Sequence, residues 1–68
     1  MFKADDYFNM YDHEVEDMNK DSALQKLRSY KAAMEFAWDD MTPEERKESK
    51  AQMKGLIQAI QKVERRSE

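Results

Sequence analysis

Apolar residues recur along this chain in three blocks with a helical period. In the first block Ala4, Tyr7, Phe8, Tyr11, Val15 and Met18 follow one another at three- and four-residue steps. At 100° per residue they share a stripe about 100° wide. Asp5, Asp6, Asp12, Glu16 and Asp17 fall on the opposite side. In the second block Ala23, Leu27, Tyr30, Met34, Ala37 and Met41 alternate steps of four and three, with Leu24 and Trp38 beside them. That is the spacing of a coiled-coil-like seam. The third block is Met53, Leu56, Ile57, Ile60 and Val63. No stretch alternates as a half-buried strand would, and no segment repeats.

Two short motifs divide the blocks. In "MTPEER" Thr42 suits a helix N-cap, because its hydroxyl can accept a bond from a free first-turn amide. Pro43 then occupies the first helical position, where a missing N–H costs nothing, and it biases Thr42 away from the α region. Glu45 completes a capping-box pattern, and Glu44 and Glu45 favour the positive end of the helix dipole. In "KDSALQ" Ser22 and Gln25 form a second capping-box pattern, with Asp21 as a rival cap. These signals predict helices over about 4–19, 23–41 and 43–65. The terminal "RRSE" is expected to fray.

The expected fold is all-α. Short connections make the second and third helices an antiparallel hairpin. The first helix packs across that hairpin or extends it, giving a small three-helix unit over residues 1–68 as a single domain. Two hairpins could also join across a dimer axis as a four-helix bundle.

Composition sharpens the dimer expectation. A core of 68 residues usually supplies only ~3–5 kcal/mol on its own. The chain has no cysteine and one histidine, so neither disulfides nor common zinc sites are expected to staple it. Self-association is the remaining support. Six methionines suit an adaptable core or contact surface. The N-terminus lacks the basic start and apolar run of a secretory signal, and no run approaches the ~18 apolar residues of a membrane span. A cytoplasmic protein without a membrane role is the expectation.

Charge is polarised. Residues 1–22 carry seven acids against two bases, and residues 46–68 carry seven bases against three acids. The favoured account is attraction between the ends as the chain folds back or pairs with a copy of itself. Two other classes stay open. The acidic first helix could mimic phosphates and inhibit a basic nucleic-acid enzyme, as small phage-type or bacterial inhibitors do. Lys47, Lys50 and Lys54 could form part of a nucleic-acid-binding stripe, although the net charge is −3. Nucleic acid is the less favoured partner.

Individual residues carry little chemistry. His13 sits among Asp12, Glu14 and Asp17, but no second ligand-bearing helix is in view, so a solvated face is the reading over a metal site. No nucleophile motif or phosphate loop is present, and Asp39–Asp40 read as a polar helix end. No catalytic residue, cofactor or metal is expected. Phe36 lies on the far side of its helix from the seam, which points to a second contact. Ala51, Gly55 and Ala59 recur every fourth residue, about 130° from the apolar face of their helix. A close backbone approach would rationalise Gly55, and drift at an exposed site is the competing explanation.

With three helices placed, "YF" at Tyr7–Phe8, "DMN" at Asp17–Asn19, "SY" at Ser29–Tyr30 and the terminal "KVERRSE" resemble the YvfG-like family of small uncharacterised Bacillus proteins. The resemblance runs over most of the chain, and each motif is short. It implies an all-helical homodimer with no assigned activity, and it carries over no functional residue. "MTPEER" lies outside it. The combined expectation is a non-enzymatic interaction or regulatory protein acting through helix surfaces. Phe8, Tyr11, Phe36, Trp38 and Ile57 are the candidate interface residues.

Overall fold

A computed structural model of the chain describes residues 3–67. Among them are three α-helices: α1 (Ala4–Val15), α2 (Lys20–Ala37) and α3 (Pro43–Glu64), with one 3-10 turn at Trp38–Asp40 after α2. No described helix is long and apolar enough to cross a membrane. The all-α, three-helix expectation holds. At ~1.5 Å per residue the longest helix spans about 33 Å, and it sets the 39 Å long axis of the molecule.

α3 is the spine. Tyr7 meets Glu48, Tyr11 meets Gln52 and Asp12 meets Lys62, so α1 runs in the same direction as α3. Lys20 meets Arg66, Arg28 meets Glu64 and Trp38 meets Arg46, so α2 runs against it, as the hairpin expectation required. α1 and α2 touch through Glu14, which faces Lys26 and Tyr30, and through the Tyr11 and Tyr30 rings, whose centroids lie 5.6 Å apart.

The boundaries differ from the sequence expectation at the first connection. α1 stops at Val15 rather than near residue 19, and α2 starts at Lys20 rather than 23. Asn19 is the N-cap, with extended backbone (φ −69°, ψ 164°) and its Oδ1 accepting the Ser22 N–H at 2.9 Å. Asparagine caps as well as serine does, and with Asn19 in that role the expected caps Asp21 and Ser22 fall inside the first turn of α2. At the second connection α2 ends at Ala37 rather than near 41, with the 3-10 turn carrying the chain to Asp40, and the start of α3 is as expected. The Thr42 hydroxyl accepts from the Glu45 N–H at 3.2 Å, and the Glu45 carboxylate accepts from the Thr42 N–H at 3.1 Å.

Helices commonly end on a glycine, but the one glycine here lies inside α3. Two arginines, Arg46 in α3 and Arg66 just beyond its end, take that role. The Arg46 Nε donates to Trp38 O at 3.1 Å and its Nη2 to Asp39 O at 3.4 Å, closing α2. Arg66 donates to Met18 O at 2.7 Å and to Val15 O at 3.2 Å, closing α1. The Arg66 carbonyl in turn accepts from Lys20. For Arg66 this corrects the fraying expected of "RRSE", since it is half-buried and tied to the other two helices, while Glu68 lies outside the described residues. Hydrogen bonds from a charged donor contribute ~1.5–3 kcal/mol each. Arg66→Ala should therefore lower unfolding free energy by about 2 kcal/mol in a urea titration. An unchanged midpoint would remove Arg66 from this role.

The small-residue stripe settles how α1 docks. Gly55 and Ala59 are buried and Ala51 is half-buried. A Cβ built on Gly55 would stand 2.6 Å from Ala4 O, 2.6 Å from Phe8 N and 2.7 Å from Tyr7 Cβ. α1 thus lies backbone-close against this stripe. The explanation by drift at an exposed position is excluded.

The core comprises Tyr11, Val15, Ala23, Leu27, Leu56, Ala59 and Val63. Its largest fully buried side chains are Leu27, Leu56, Val15 and Val63. It gathers where the end of α1, the start of α2 and the end of α3 converge. Toward the α2–α3 connection burial thins: Met34, Ala37, Trp38, Met41 and Met53 are all only half-buried.

Candidate interaction surface

The five candidate interface residues separate into two groups. Tyr11 is 3% exposed. Its hydroxyl accepts from Gln52 Nε2 at 2.7 Å. It is therefore core, and no external partner can reach it. Phe8 is half-buried against the same core, with the Lys62 ammonium 5.8 Å from its ring centre. Both belong to the packing of α1 on α3. The cause lies in their position on the stripe that the spine covers.

Phe36, Trp38 and Ile57 lie elsewhere. Phe36 is 88% exposed, with Ala32 and Ala33 also exposed beside it. Trp38 and Ile57 line a shallow groove of about 450 Å³ between the end of α2 and α3, together with Ser49, Met53, Lys50 and Lys54. Arg46 covers the Trp38 ring from 5.5 Å and holds it as the groove wall, a cation–π contact that also shields the helix end. Ile57 is 37% exposed. Met53, Lys50 and Lys54 were not among the candidates. Their spacing with Ile57 at positions 50, 53, 54 and 57 places all four on one helical face, so the period did carry the signal. What it lacked was the position of Trp38 opposite them.

The acid-rich first helix is largely surface. Asp5, Asp6, Glu16 and Asp17 are exposed. His13 Nδ1 lies 3.1 Å from Glu16 on a solvated face, and no group of three or more metal-ligating side chains occurs among the described residues. Part of the charge polarity is met inside the chain: Lys62 pairs with Asp12 at 2.9 Å, and Arg66 closes α1. Lys47, Lys50 and Lys54 are exposed and make no ion pair among the described residues.

Two tyrosine hydroxyls donate to carboxylates at the joints between helices. The Tyr7 hydroxyl donates to Glu48 across α1 and α3. That hydrogen bond to a carboxylate, reinforced by burial, raises the Tyr7 pKa from 10.0 to about 12. Tyr30 donates to Glu14; this bond raises the Tyr30 pKa and, with Lys26, lowers that of Glu14. The sign follows from the neutral phenol being favoured in the folded state. Its contribution is complete below the unfolded pKa of 10.0 and disappears as pH rises toward about 12. The Tyr7 step in tyrosinate absorbance should therefore reach its midpoint only at about pH 12 in the folded protein, with stability falling from pH 10.0 toward that point. Tyr7→Phe should remove the highest-pH step; a Tyr7 midpoint at the ordinary tyrosine value of about 10 would refute the Tyr7–Glu48 bond.

The groove is thus apolar and basic at its rim. Its lining includes the Ser49 hydroxyl and no carboxylate. No family model, curated protein or solved structure matches the chain.

Proposed function

We propose that this is a non-enzymatic interaction protein that works as a homodimer through helix surfaces. The observation that supports the reading is the uneven core. Burial is complete where three helices converge and fails at the α2–α3 end, where Phe36 stands 88% exposed. An exposed large aromatic is the usual anchor of a contact surface. A small cysteine-free chain also gains most from association. Its lack of cysteine suits a reducing, cytoplasmic setting, and the resemblance to YvfG-like proteins implies pairing as well. Recognition would draw energy from a few apolar anchors and orientation from the flanking charges.

The test is stability against dilution. A dimer has a melting temperature that rises with protein concentration, and sedimentation equilibrium should give twice the chain mass at micromolar concentration. A single-chain mass together with a concentration-independent melting temperature overturns the reading.

A second reading is favoured by one observation: Lys47, Lys50 and Lys54 are exposed on α3. A nucleic-acid module would use them as phosphate contacts, with affinity falling steeply with salt. Glu44 and Glu48 interrupt the same helix, which weakens the stripe. A gel shift abolished by Lys50→Glu with Lys54→Glu would support this reading over the first.

A further inference from the structure

Resting on the homodimer reading, we infer that the outer face of α2 is the dimer contact. Two copies of α2 pack antiparallel across a two-fold axis. Each Phe36 seats in a hollow beside the partner's Gln25 and Ser29, and each Glu35 faces the partner's Arg28. All of these groups belong to one helix, so helical geometry alone fixes how they sit relative to one another.

The face is free along its length. Leu27 is completely buried in the core, and at 3.6 residues per turn Phe36 lies about 180° around α2 from it. Gln25, Ser29, Ala32 and Ala33 fall within about 60° of Phe36, and all four are exposed. A partner helix can therefore lie along this side of α2 without disturbing the core side.

The same face carries a knob and a hollow. Phe36 is 88% exposed, and with only alanines at 32 and 33 the ring stands clear of the helix surface. Nearer the start of α2, Asp21, Leu24, Gln25, Arg28, Ser29 and Ala32 line a shallow hollow of about 400 Å³. Its middle lies roughly nine to ten residues before Phe36, about 14 Å along the helix axis.

A two-fold contact is self-complementary: where residue i touches j, j touches i. An axis crossing α2 midway between knob and hollow, near position 31, lays each Phe36 over the hollow of the other copy. The residues on this face around that midpoint are Ser29, Ala32 and Ala33. Their short side chains let two helices approach to the lower end of the usual ~8–10 Å spacing.

The same axis brings opposite charges together. Arg28 and Glu35 are seven residues apart, so they share one flank of α2 to within about 20°. Across the axis position 35 falls opposite positions 27–28, and the contact acquires two reciprocal Arg28–Glu35 pairs. Within the chain both side chains are exposed and held only loosely: Arg28 stands 3.8 Å from Glu64, and Glu35 stands 3.9 Å from Lys31. Complementary charges at fixed positions orient the partner and set its register. Knob, hollow and charges are arranged about one midpoint, so a second copy of this chain satisfies all of them at once. Each seated phenylalanine takes ~150–250 Å² from water.

Sedimentation equilibrium of the full chain tests this, with circular dichroism confirming that each variant folds. Phe36→Ser changes a side chain outside the core and should weaken the dimer by about tenfold or more. Ala32→Gln puts a good helix former into the hollow and the crossing, and should weaken it as well. Arg28→Glu and, separately, Glu35→Arg should each weaken it through like-charge contact. Mixing those two charge variants should restore a heterodimer, because both reciprocal contacts then join opposite charges. Undiminished dimers in Phe36→Ser and Ala32→Gln would overturn this inference and leave the homodimer reading standing. Weakening by the charge variants without rescue on mixing would overturn the antiparallel register. A wild-type chain that stays monomeric at about 100 µM, where any micromolar Kd is saturated, would overturn both the inference and the homodimer reading.

Discussion

Gly55→Ala should destabilise the protein by about 2 kcal/mol, although alanine is the better helix former. In an exposed helix the same change would stabilise by ~1 kcal/mol. Here the new methyl would meet Ala4 O and Phe8 N at 2.6 Å and Tyr7 Cβ at 2.7 Å. Two of these are backbone atoms, so no rotamer change can relieve the contact. α1 must move away as a unit. That movement would loosen Tyr7 from Glu48, Tyr11 from Gln52 and Asp12 from Lys62. Overpacking of this kind typically costs ~1–3 kcal/mol, and a contact against backbone belongs at the upper end. Subtracting the propensity gain leaves about 2 kcal/mol net. Urea unfolding followed by circular dichroism measures it. Gln61→Ala, an exposed change on the same helix, should stay within about 0.5 kcal/mol. A Gly55→Ala variant as stable as wild type would show that α1 does not approach the spine this closely.

Leu56→Ala should leave much of the chain unfolded at room temperature. Leu56 is completely buried, at the centre of the cluster with Leu27, Val15 and Val63. Leucine-to-alanine changes in cores cost ~2–5 kcal/mol. A core of this size supplies only ~3–5 kcal/mol, so one substitution removes most of the margin. Neighbouring Ile57 makes the contrast. It is 37% exposed, and Ile57→Ala should cost under about 1 kcal/mol in the monomer. The two variants differ by one position along a helix, so propensity is nearly constant and burial alone separates them. Equal losses at 56 and 57 would refute the assignment of the core face. If the homodimer forms, ligand-like linkage adds a concentration-dependent term to both, so each is compared with wild type at one fixed concentration.

Much of this architecture is legible in the order of residues because helix faces are local properties. Steps of three and four residues identify the stripes of all three helices, and Thr42, Pro43 and Glu45 mark a helix start through contacts within one turn. The antiparallel hairpin follows from a short connection. Asn19 was also readable, since it precedes Ser22 at the spacing of a cap, but two plausible caps in a row needed the backbone to choose between them.

Other features depend on partners far apart in the chain. Gly55 is unremarkable until α1 lies across it, more than forty residues away in sequence. Arg66 looks like part of a loose tail until its guanidinium reaches Val15 and Met18. Tyr11 and Phe36 are both aromatics on amphipathic helices, yet one is core and the other bare, because α3 covers the first and nothing in the chain covers the second. Periodicity says which residues share a face. Which face finds a partner is a matter of how three helices share one spine, and here that spine has room for α1 and α2 but leaves the Phe36 side of the hairpin uncovered.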